Sequence, residues 1–310
     1  MSSRGGKAYS VRRREWLHTV LGALKTPRGA SGAVMTLAVV GIAAFGPLFA
    51  PHGGTELLGA PFQKPDSNLP LGGDELGRDV LSRVLDGGWE LLLVAAAGTA
   101  LGIVLGTAAG VAAAYLRGVA DAVIMRVVDV LLAFPQLVFV LLLVSVIGPK
   151  TWLLVIAVGL SHAPQVARVL RSAALDVSER DYVKAVEILG VRPARVMRQE
   201  VVPSLITPLM VETGLRMTYS IIVLAGLSFV GFGLQPPSPN WGLMINENRI
   251  GLTQNYWPVL APALLVALLT VGLNTLTDAI ARVALGVDRA ERVIASEALG
   301  LEPTAASDVA

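Results

Sequence analysis

Long apolar stretches separated by polar segments dominate this chain. Six of them are long enough to cross a bilayer as helices, which takes about 20 mostly apolar residues each. They are far longer than the roughly 9–11 residues of a membrane β-strand and do not alternate apolar with polar residues, so helices are predicted. The predicted spans cover about residues 31–50, 89–115, 122–148, 152–170, 205–232 and 259–285.

The composition also indicates a membrane protein. Of the 310 residues, 54% are hydrophobic and only 15% are charged, whereas soluble domains carry about 25% charged residues. We therefore expect an all-α integral membrane fold with six transmembrane helices. The absence of cysteine from the sequence excludes disulfides, iron–sulfur centres, thiolate zinc sites and cysteine nucleophiles. Three histidines leave little for other metal chemistry, so no metal site is predicted.

Basic residues are distributed unevenly between the two ends of the predicted helices. With the N-terminus inside, 19 of the 25 Lys and Arg residues lie on the cytoplasmic side and five on the other, while Arg216 lies within a span. Cytoplasmic loops near membrane spans carry such a positive excess. Both termini and the loop between the fourth and fifth spans are therefore predicted to be cytoplasmic, and segment 51–88 to be extracytoplasmic.

Two terminal regions are predicted to flank the 31–285 transmembrane domain. In the basic segment 1–30, Trp16, Leu17, Val20, Leu21 and Leu24 share one helical face opposite Arg12, Arg13 and Arg14. This pattern predicts an interfacial helix, with a disordered basic tail as the alternative. The first apolar run has the length of a span and lacks a cleavage site, so no cleavable signal peptide is predicted. Residues 286–310 are expected to form a cytoplasmic tail.

Enzyme chemistry has little support in the sequence. The stretch Gly148-Pro149-Lys150-Thr151 lacks the glycines of a phosphate-binding loop, so any ATP hydrolysis belongs to another chain. Ser161 and His162 lie in the fourth span, but neighbouring residues point to different helix faces and cannot form a nucleophile–base pair. We therefore predict no catalytic residue and interpret His162 as packing or as an interhelix hydrogen bond.

Glycine recurs at every fourth position along the second span. Missing side chains on one face of a helix let two backbones approach, which is how helices associate in lipid. The pattern predicts a close helix contact, either within the chain or with a partner. The ridge consists of Gly98, Gly102, Gly106 and Gly110.

Two pairs of opposite charges lie within predicted spans. A charge at the bilayer centre costs about 2.5–3.5 kcal/mol on insertion scales, so such residues are expected to pair or to face a polar cavity. Arg126 and Asp129 lie three residues apart near the start of the third span and are predicted to form a structural salt bridge. Glu212 and Arg216 lie four apart in the fifth span, where their depth favours a functional role, with a structural salt bridge as the alternative.

The most specific feature is the polar segment 171–204 between the fourth and fifth spans. Connections in compact proteins are normally short, yet this one is long, basic and patterned for two amphipathic helices. Gly190 is predicted to separate the helices and Pro203 to end the second. The sequence therefore predicts a rigid cytoplasmic knob, with a solvated helical hairpin as the alternative.

Four motifs resemble a known family. The segment 181–190, DYVKAVEILG, followed by Pro203, resembles the EAA loop of ABC importer permeases, which docks on the ATPase subunit. The other motifs resemble the second, or C, permease of dipeptide, oligopeptide and nickel importers. They are LGGDELGRDVLSR at 71–83, MRVVDVLLAFP at 125–135, and LSFVGFG at 227–233 with QPP at 235–237 and NWG at 240–242. The chain departs from the family pattern at Leu69, Gly73, Val186 and Leu224, the last where many relatives carry Glu.

The resemblance covers about residues 20–290 and implies a non-catalytic permease subunit in a bacterial cytoplasmic membrane. It implies a homologous second permease, two cytoplasmic ATPases that bind ATP and Mg²⁺, and an extracytoplasmic substrate-binding protein as partners, with membrane lipid and no nucleic acid. Because the fifth span directly follows the docking loop, Glu212 and Arg216 are predicted to face the translocation pathway or its gate. The predicted ATPase-docking residues are Asp181, Tyr182, Ala185, Val186, Glu187, Gly190 and Pro203.

The sequence is compatible with more than one cargo and with more than one class of transporter. Dipeptides or oligopeptides are the expected cargo, and a nickel chelate or another small solute is the alternative within the same family. A secondary transporter or a channel is the alternative from another class. Such a protein would need no docking loop and would show inverted repeats, which the two halves of this sequence lack.

Overall fold

The computed structural model describes residues 18–236 and 239–286, and helices dominate this part of the chain. Residues 18–24 are helical, and β structure among the described residues is limited to two isolated bridges. The helices that follow are α1 (Pro27–Phe45), α2 (Val80–Asp86), α3 (Trp89–Leu116), α4 (Gly118–Leu132), α5 (Gln136–Ile147), α6 (Thr151–Ser178), α7 (Asp181–Ile188), α8 (Pro193–Val196), α9 (Val202–Ser204), α10 (Ile206–Phe229), α11 (Trp241–Asn248) and α12 (Trp257–Ala284).

Five helical stretches are long and apolar enough to cross a membrane, and the pair α4 and α5 forms a sixth span if its two halves are counted as one. The prediction of an all-α membrane protein is therefore confirmed. The five stretches are Pro27–Phe49, Val80–Leu116, Thr151–Ser178, Ile206–Phe229 and Trp257–Ala284.

The third span differs from the continuous helix that the sequence predicts. α4 ends at Leu132, α5 begins at Gln136, and the two helices are bent by 83°. Pro135 explains the break, because proline has no N–H to donate and disfavours helical backbone in the residue before it. The hydrogen-bond ladder restarts where the N–H of Phe139 donates to the carbonyl of Pro135 over 3.0 Å.

The first span begins earlier than predicted. Thr26 caps α1, since its Oγ1 accepts a hydrogen bond of 3.0 Å from the N–H of Gly29, and Pro27 occupies the first turn. Positions 12–17 of the predicted interfacial helix and positions 287–310 of the predicted tail lie outside the described residues.

Two apolar cores hold the bundle together. The larger core packs α1, α3, α5, α6, α10, α11 and α12 against one another, with Leu154, Ile221 and Leu269 fully buried in it. The smaller core lies at the other end of the bundle, where α3 and α6 meet helices α7 to α9. The chain therefore carries a separately packed structure at each end of the spans.

At one end, residues 181–204 form a structure that we call the hairpin. α7 ends at Ile188, Gly190 adopts a φ of +75°, and α8 begins at Pro193. A π turn over Met197–Val201 then leads into α9. The prediction that Pro203 ends this helical segment is wrong. Proline is tolerated in the first turn of α9, and the interruption comes at Leu205, just before α10.

At the opposite end, residues 50–88 and 239–256 form a structure that we call the cap, which contains α2 and α11. Trp241 is fully buried, and its Nε1 donates a hydrogen bond of 2.8 Å to the carbonyl of Val84, 157 positions away in the sequence. Asp79 caps α2 by accepting from the N–H of Leu81 at 3.2 Å and of Ser82 at 3.1 Å. These contacts join two distant segments into one unit.

Candidate functional site

The hairpin rests on the smaller apolar core rather than hanging from a loop. The phenol oxygen of Tyr182 lies 3.0 Å from the hydroxyl oxygen of Ser204. This contact links the two helical arms of the hairpin. Because buried contacts join it to both α3 and α6, a force on the hairpin is transmitted to both spans. The buried members of this core are Val111, Ala114, Ala174, Val177, Val183, Val196, Val201 and Leu205.

The tip of the hairpin exposes apolar side chains. Ile188 is 86% exposed and Leu189 is 79% exposed, directly before the turn at Gly190. A Cβ added to Gly190 would meet no atom within 4 Å, so only its positive φ restricts this position. Exposed apolar residues on an anchored projection are typical of a protein-contact surface.

The structure spreads the predicted docking residues over two environments. Asp181, Ala185, Glu187 and Gly190 lie on the outer surface of the hairpin, whereas Tyr182, Val186 and Pro203 are half-buried. Sequence reasoning did not single out Ile188 and Leu189. The signal was present, because two apolar residues follow a short polar helix just before a glycine.

Glu212 and Arg216 form an ion pair on α10. The Nε of Arg216 donates to Oε2 of Glu212 over 3.0 Å, and both side chains are almost buried. The guanidinium carbon of Arg216 also lies 5.4 Å from the ring centroid of Tyr219, within range of a cation–π interaction. Within this chain the two charges are thus paired with each other.

The predicted salt bridge between Arg126 and Asp129 does not form, although both residues are described. Asp129 instead accepts a hydrogen bond of 2.6 Å from a terminal nitrogen of Arg168 on α6. The reason is helix packing, since α4 lies against α6 and the long Arg168 side chain reaches the carboxylate from there. A second interhelix pair, Asp121 with Arg171, follows the same arrangement.

His162 is the centre of a polar network that connects four spans. Its Nε2 lies 2.9 Å from the hydroxyl of Ser220 on α10, which lies 2.8 Å from the hydroxyl of Thr99 on α3. Gln136, the first residue of α5, places its amide nitrogen 3.0 Å from Nδ1 of His162 and 3.1 Å from the hydroxyl of Ser161. The interpretation of His162 as an interhelix hydrogen bond is confirmed.

The glycine ridge of α3 lies against α6 of the same chain. A Cβ on Gly102 would lie 2.8 Å from Cβ of His162, and one on Gly106 would lie 2.5 Å from Cβ of Val166. Added Cβ atoms at Gly98 and Gly110 would also lie within 3.0 Å of α6. The backbones can approach this closely only because these side chains are absent.

The cap contains a buried ion network that sequence reasoning did not identify. Asp74 is fully buried and pairs with Arg78, whose Nε lies 2.6 Å from the carboxylate, and also with Arg83. Glu247 of α11 lies 3.0 Å from Arg83 and 3.4 Å from Arg78. Two acids and two arginines thus join the cap segments. The sequence feature that could have indicated this network is the motif at 71–83, which contains two Asp and two Arg residues.

Backbone and amide hydrogen bonds complete the cap. The carboxamide oxygen of Asn248 accepts from the N–H of Glu75 over 2.9 Å, and the Nδ2 of Asn255 donates to the carbonyls of Gln63, Leu71 and Gly73. Burial, followed by repulsion from Glu247, raises the pKa of the Glu75 carboxyl above its usual range. Among the described residues, no group of three or more His, Asp or Glu side chains is placed to hold a metal ion.

The fold and these sites define a multi-pass α-helical membrane protein with an anchored helical hairpin at one end and an ion-bonded cap at the other. The family model described as "Binding-protein-dependent transport system inner membrane component" matches residues 101–284. The chain belongs to this family of transport proteins.

Its relatives include named peptide permeases. It is 37% identical over 254 residues to the "Dipeptide transport system permease protein DppC" of Escherichia coli K12, covering 80% of this chain and 85% of the relative. It is 33% identical over 259 residues to the "Di/tripeptide transport system permease protein DppC" of Pseudomonas aeruginosa, covering 81% and 86%. It is 34% identical over 230 residues to the "Probable peptide ABC transporter permease protein y4tQ" of Sinorhizobium fredii, covering 73% and 79%.

Proposed function

We propose that this chain is a permease subunit of an ATP-driven importer that carries dipeptides or oligopeptides across a bacterial cytoplasmic membrane. The observation that carries the proposal is the anchored hairpin with its exposed apolar tip, on a chain of this transport family. The names of relatives at 33–37% identity support peptides as the cargo class. In this proposal the chain provides no catalytic residue and binds no cofactor.

The proposed orientation puts the hairpin in the cytoplasm and the cap outside. It is supported by the 19 basic residues on the hairpin side against five on the cap side. Both termini are then cytoplasmic, and the cap faces the compartment from which cargo arrives. The cap is accordingly the part available to an extracytoplasmic substrate-binding protein.

The hairpin is proposed to transmit ATPase motion to the membrane spans. Ile188 and Leu189 would enter an apolar groove on an ATPase subunit, with Asp181 and Glu187 at the rim. Motion of the hairpin then reaches α3 and α6 through the smaller core, and reaches α10 through the turn at Leu205. Rigid-body tilting of spans is a recognised basis of alternating access.

The remaining partners follow from this arrangement. A homologous second permease would complete the pathway, and two cytoplasmic ABC ATPases would bind ATP and Mg²⁺. Membrane lipid surrounds the pair, and no nucleic acid takes part. This chain contributes geometry and coupling, while bond-breaking occurs on the ATPases.

The Gly190→Val substitution tests the coupling role. A β-branched residue at a φ of +75° strains the turn by about 1–3 kcal/mol and displaces the tip. We expect ATP-dependent dipeptide uptake by proteoliposomes containing the whole complex, and cargo-stimulated ATP hydrolysis, to fall at least about tenfold.

Gly148→Val is the matched control. Gly148 also has a positive φ, +98°, and a Cβ added there would meet no atom within 4 Å, but it lies outside the hairpin. Uptake close to that of the unmodified protein is expected for this variant. Equal uptake by the Gly190 and Gly148 variants would refute the coupling role of the hairpin.

Glu212 and Arg216 are proposed to act at the pathway or its gate. An almost buried ion pair is tolerated inside a membrane protein, and α10 is the span that directly follows the hairpin. The double variant Glu212→Arg with Arg216→Glu keeps the pair and reverses its field. We expect slower uptake with normal assembly. Unchanged uptake kinetics in this double variant would show that the pair is a purely structural salt bridge.

The departure at Leu224 gives no reason to reject a peptide cargo. Leu224 is fully buried in the larger apolar core and packs with other spans of the same chain. Competition between labelled dipeptide and either nickel chelates or longer peptides, in the same uptake assay, decides between the proposed cargo and its alternatives. Inhibition by a nickel chelate alone would favour the alternative cargo.

A further inference from the structure

Polar groups line one side of the contact between the third and fourth spans. Asp129 and Arg168 form an ion pair whose side chains are 51% and 57% exposed. One helical turn further along α4 lies the break at residues 133–135, where Phe134 is 53% exposed. Gln136, Ser161 and Gln165 line a small cavity beside this break. We call these five polar side chains and the break the polar seam.

The break lies near the middle of the membrane. Gln136 contacts His162, which in turn contacts Ser220, and Ser220 contacts Thr99. These three partners belong to α6, α10 and α3, which are 28, 24 and 28 residues long, and each lies near the middle of its helix. The break is therefore separated from both membrane surfaces by several helical turns, and the ion pair of Asp129 and Arg168 lies on its hairpin side.

The break leaves backbone groups without partners in the described chain. The N–H groups of residues 136–138 begin α5 and have no acceptor, and the carbonyls of residues 132–134 end α4 and have no donor. Residues 133–135 are also exposed on the surface of the chain. Lipid can satisfy none of these groups, because the hydrocarbon core contains neither donors nor acceptors.

Two observations argue against lipid at this surface. They are an exposed ion pair and unpaired backbone groups at mid-membrane. The small cavity beside the break is mostly apolar, but Gln136, Ser161 and Gln165 place three polar side chains on its wall. Irregular backbone at this depth is tolerated where it is buried in protein or lines a water-filled cavity, and the exposed ion pair on the same side of the helix contact favours the cavity. The seam offers both donors and acceptors, which suits the amides of a peptide main chain.

We propose that the polar seam lines the water-filled translocation pathway and provides its peptide-contacting surface on this subunit. The inference rests on the proposed transport function and adds the surface along which cargo passes. It differs from the assignment of Glu212 and Arg216, which are almost buried and already paired with each other. The network around His162 then acts as the support that holds Gln136 and the break in place.

Cysteine accessibility tests the proposal, because the chain contains no cysteine of its own. Ala133→Cys is introduced at the break, and Leu37→Cys, at a 69% exposed position in the middle of α1, is the apolar control. The assembled complex is exposed to a membrane-impermeant sulfonated maleimide, both without nucleotide and trapped with ATP and vanadate. Thiols react as thiolates, which form in water and not in lipid.

We expect Ala133→Cys to react at least about tenfold faster than Leu37→Cys in one of the two states, because a thiol in lipid stays protonated. Dipeptide delivered by the binding protein should slow this reaction. Equal rates for the two cysteines in both states, with dipeptide uptake retained, would overturn the inference and leave the proposed function intact. Absence of ATP-dependent dipeptide uptake by the assembled complex of the unmodified, cysteine-free chain would instead contradict the proposed function, whatever the labelling rates.

Gln165→Cys provides a second measurement from the facing helix. Gln165 lines the same cavity but is not part of the break, so the substitution leaves the bend unchanged. It is expected to label as Ala133→Cys does, and it replaces that variant if the substitution at the break reduces assembly. Labelling of Gln165→Cys no faster than that of Leu37→Cys would also count against the seam.

Discussion

The cap and the hairpin are held together by different interactions. In the cap, buried Arg78 and Arg83 both pair with buried Asp74 and with Glu247, which lies more than 160 positions away in the sequence. In the hairpin, the buried contacts are aliphatic, and Ile188 and Leu189 remain exposed at the tip. One end of the molecule is thus fixed by directional ion pairs, and the other by non-directional packing.

This difference fits the proposed roles of the two ends. A buried ion network tolerates little displacement, because moving one partner leaves an uncompensated charge. Apolar packing depends less on direction, so a structure built on it can shift as a unit while staying attached to its spans. We therefore expect the cap to hold its geometry through the transport cycle and the hairpin to transmit movement.

Loss of the central charge in the cap is expected to have the largest effect. Asp74→Asn leaves Arg78 and Arg83 without their buried carboxylate and should destabilise the protein by about 3–5 kcal/mol. Thermal unfolding of the purified complex in detergent measures this loss. Asp176→Asn, the same exchange at an exposed position of α6, should leave the midpoint nearly unchanged. Similar midpoints for the two variants would contradict the role of the network.

The contact that joins the two ends is expected to be the next most sensitive. Gly106→Val places a side chain where a Cβ would already lie 2.5 Å from Val166, and overpacking of this kind costs about 1–3 kcal/mol or more. Gly41→Val is the control, because no atom lies within 4 Å of a Cβ at Gly41. The yield of folded protein and its unfolding midpoint should fall only for Gly106→Val.

Shortening a buried side chain in the hairpin core is expected to affect coupling more than stability. Val183→Ala removes two buried methyl groups and should cost about 1–2 kcal/mol. Because Val183 anchors α7, the loss of cargo-stimulated ATP hydrolysis should exceed what this small destabilisation explains. Val119→Ala, at an 81% exposed position, is the control for stability and coupling. Full stimulation in the Val183 variant would show that the anchored core is not needed.

The smallest expected effect is a pH dependence of cap stability. Since the pKa of Glu75 is raised in the folded protein, its stabilising contribution is complete below the usual value of 4.5 and is lost as the pH rises through the folded pKa. Acidification from neutral pH should therefore raise the unfolding midpoint of the unmodified protein relative to that of Glu75→Gln. A constant difference between the two midpoints across this range would contradict the assignment.

Features set by local sequence could be predicted, and features set by helix packing could not. The five continuous spans and the turn at Gly190 follow from apolar length and from a single glycine. The partner of Asp129 is Arg168 rather than Arg126, because α4 packs on α6, and no spacing rule contains that information. The cap network was missed for the same reason, since Glu247 meets Arg83 only after the chain has folded.

The central claim, that the hairpin contacts the ATPase subunits, has one direct test. A photoreactive maleimide attached to Leu189→Cys in the otherwise cysteine-free chain is illuminated in the assembled complex. Leu57→Cys, at a 70% exposed leucine of the cap, serves as the matched position at the other end. We predict a covalent adduct with an ATPase subunit from Leu189→Cys and none from Leu57→Cys. An assembled complex that gives the ATPase adduct only from Leu57→Cys, or from neither position, would contradict the claim.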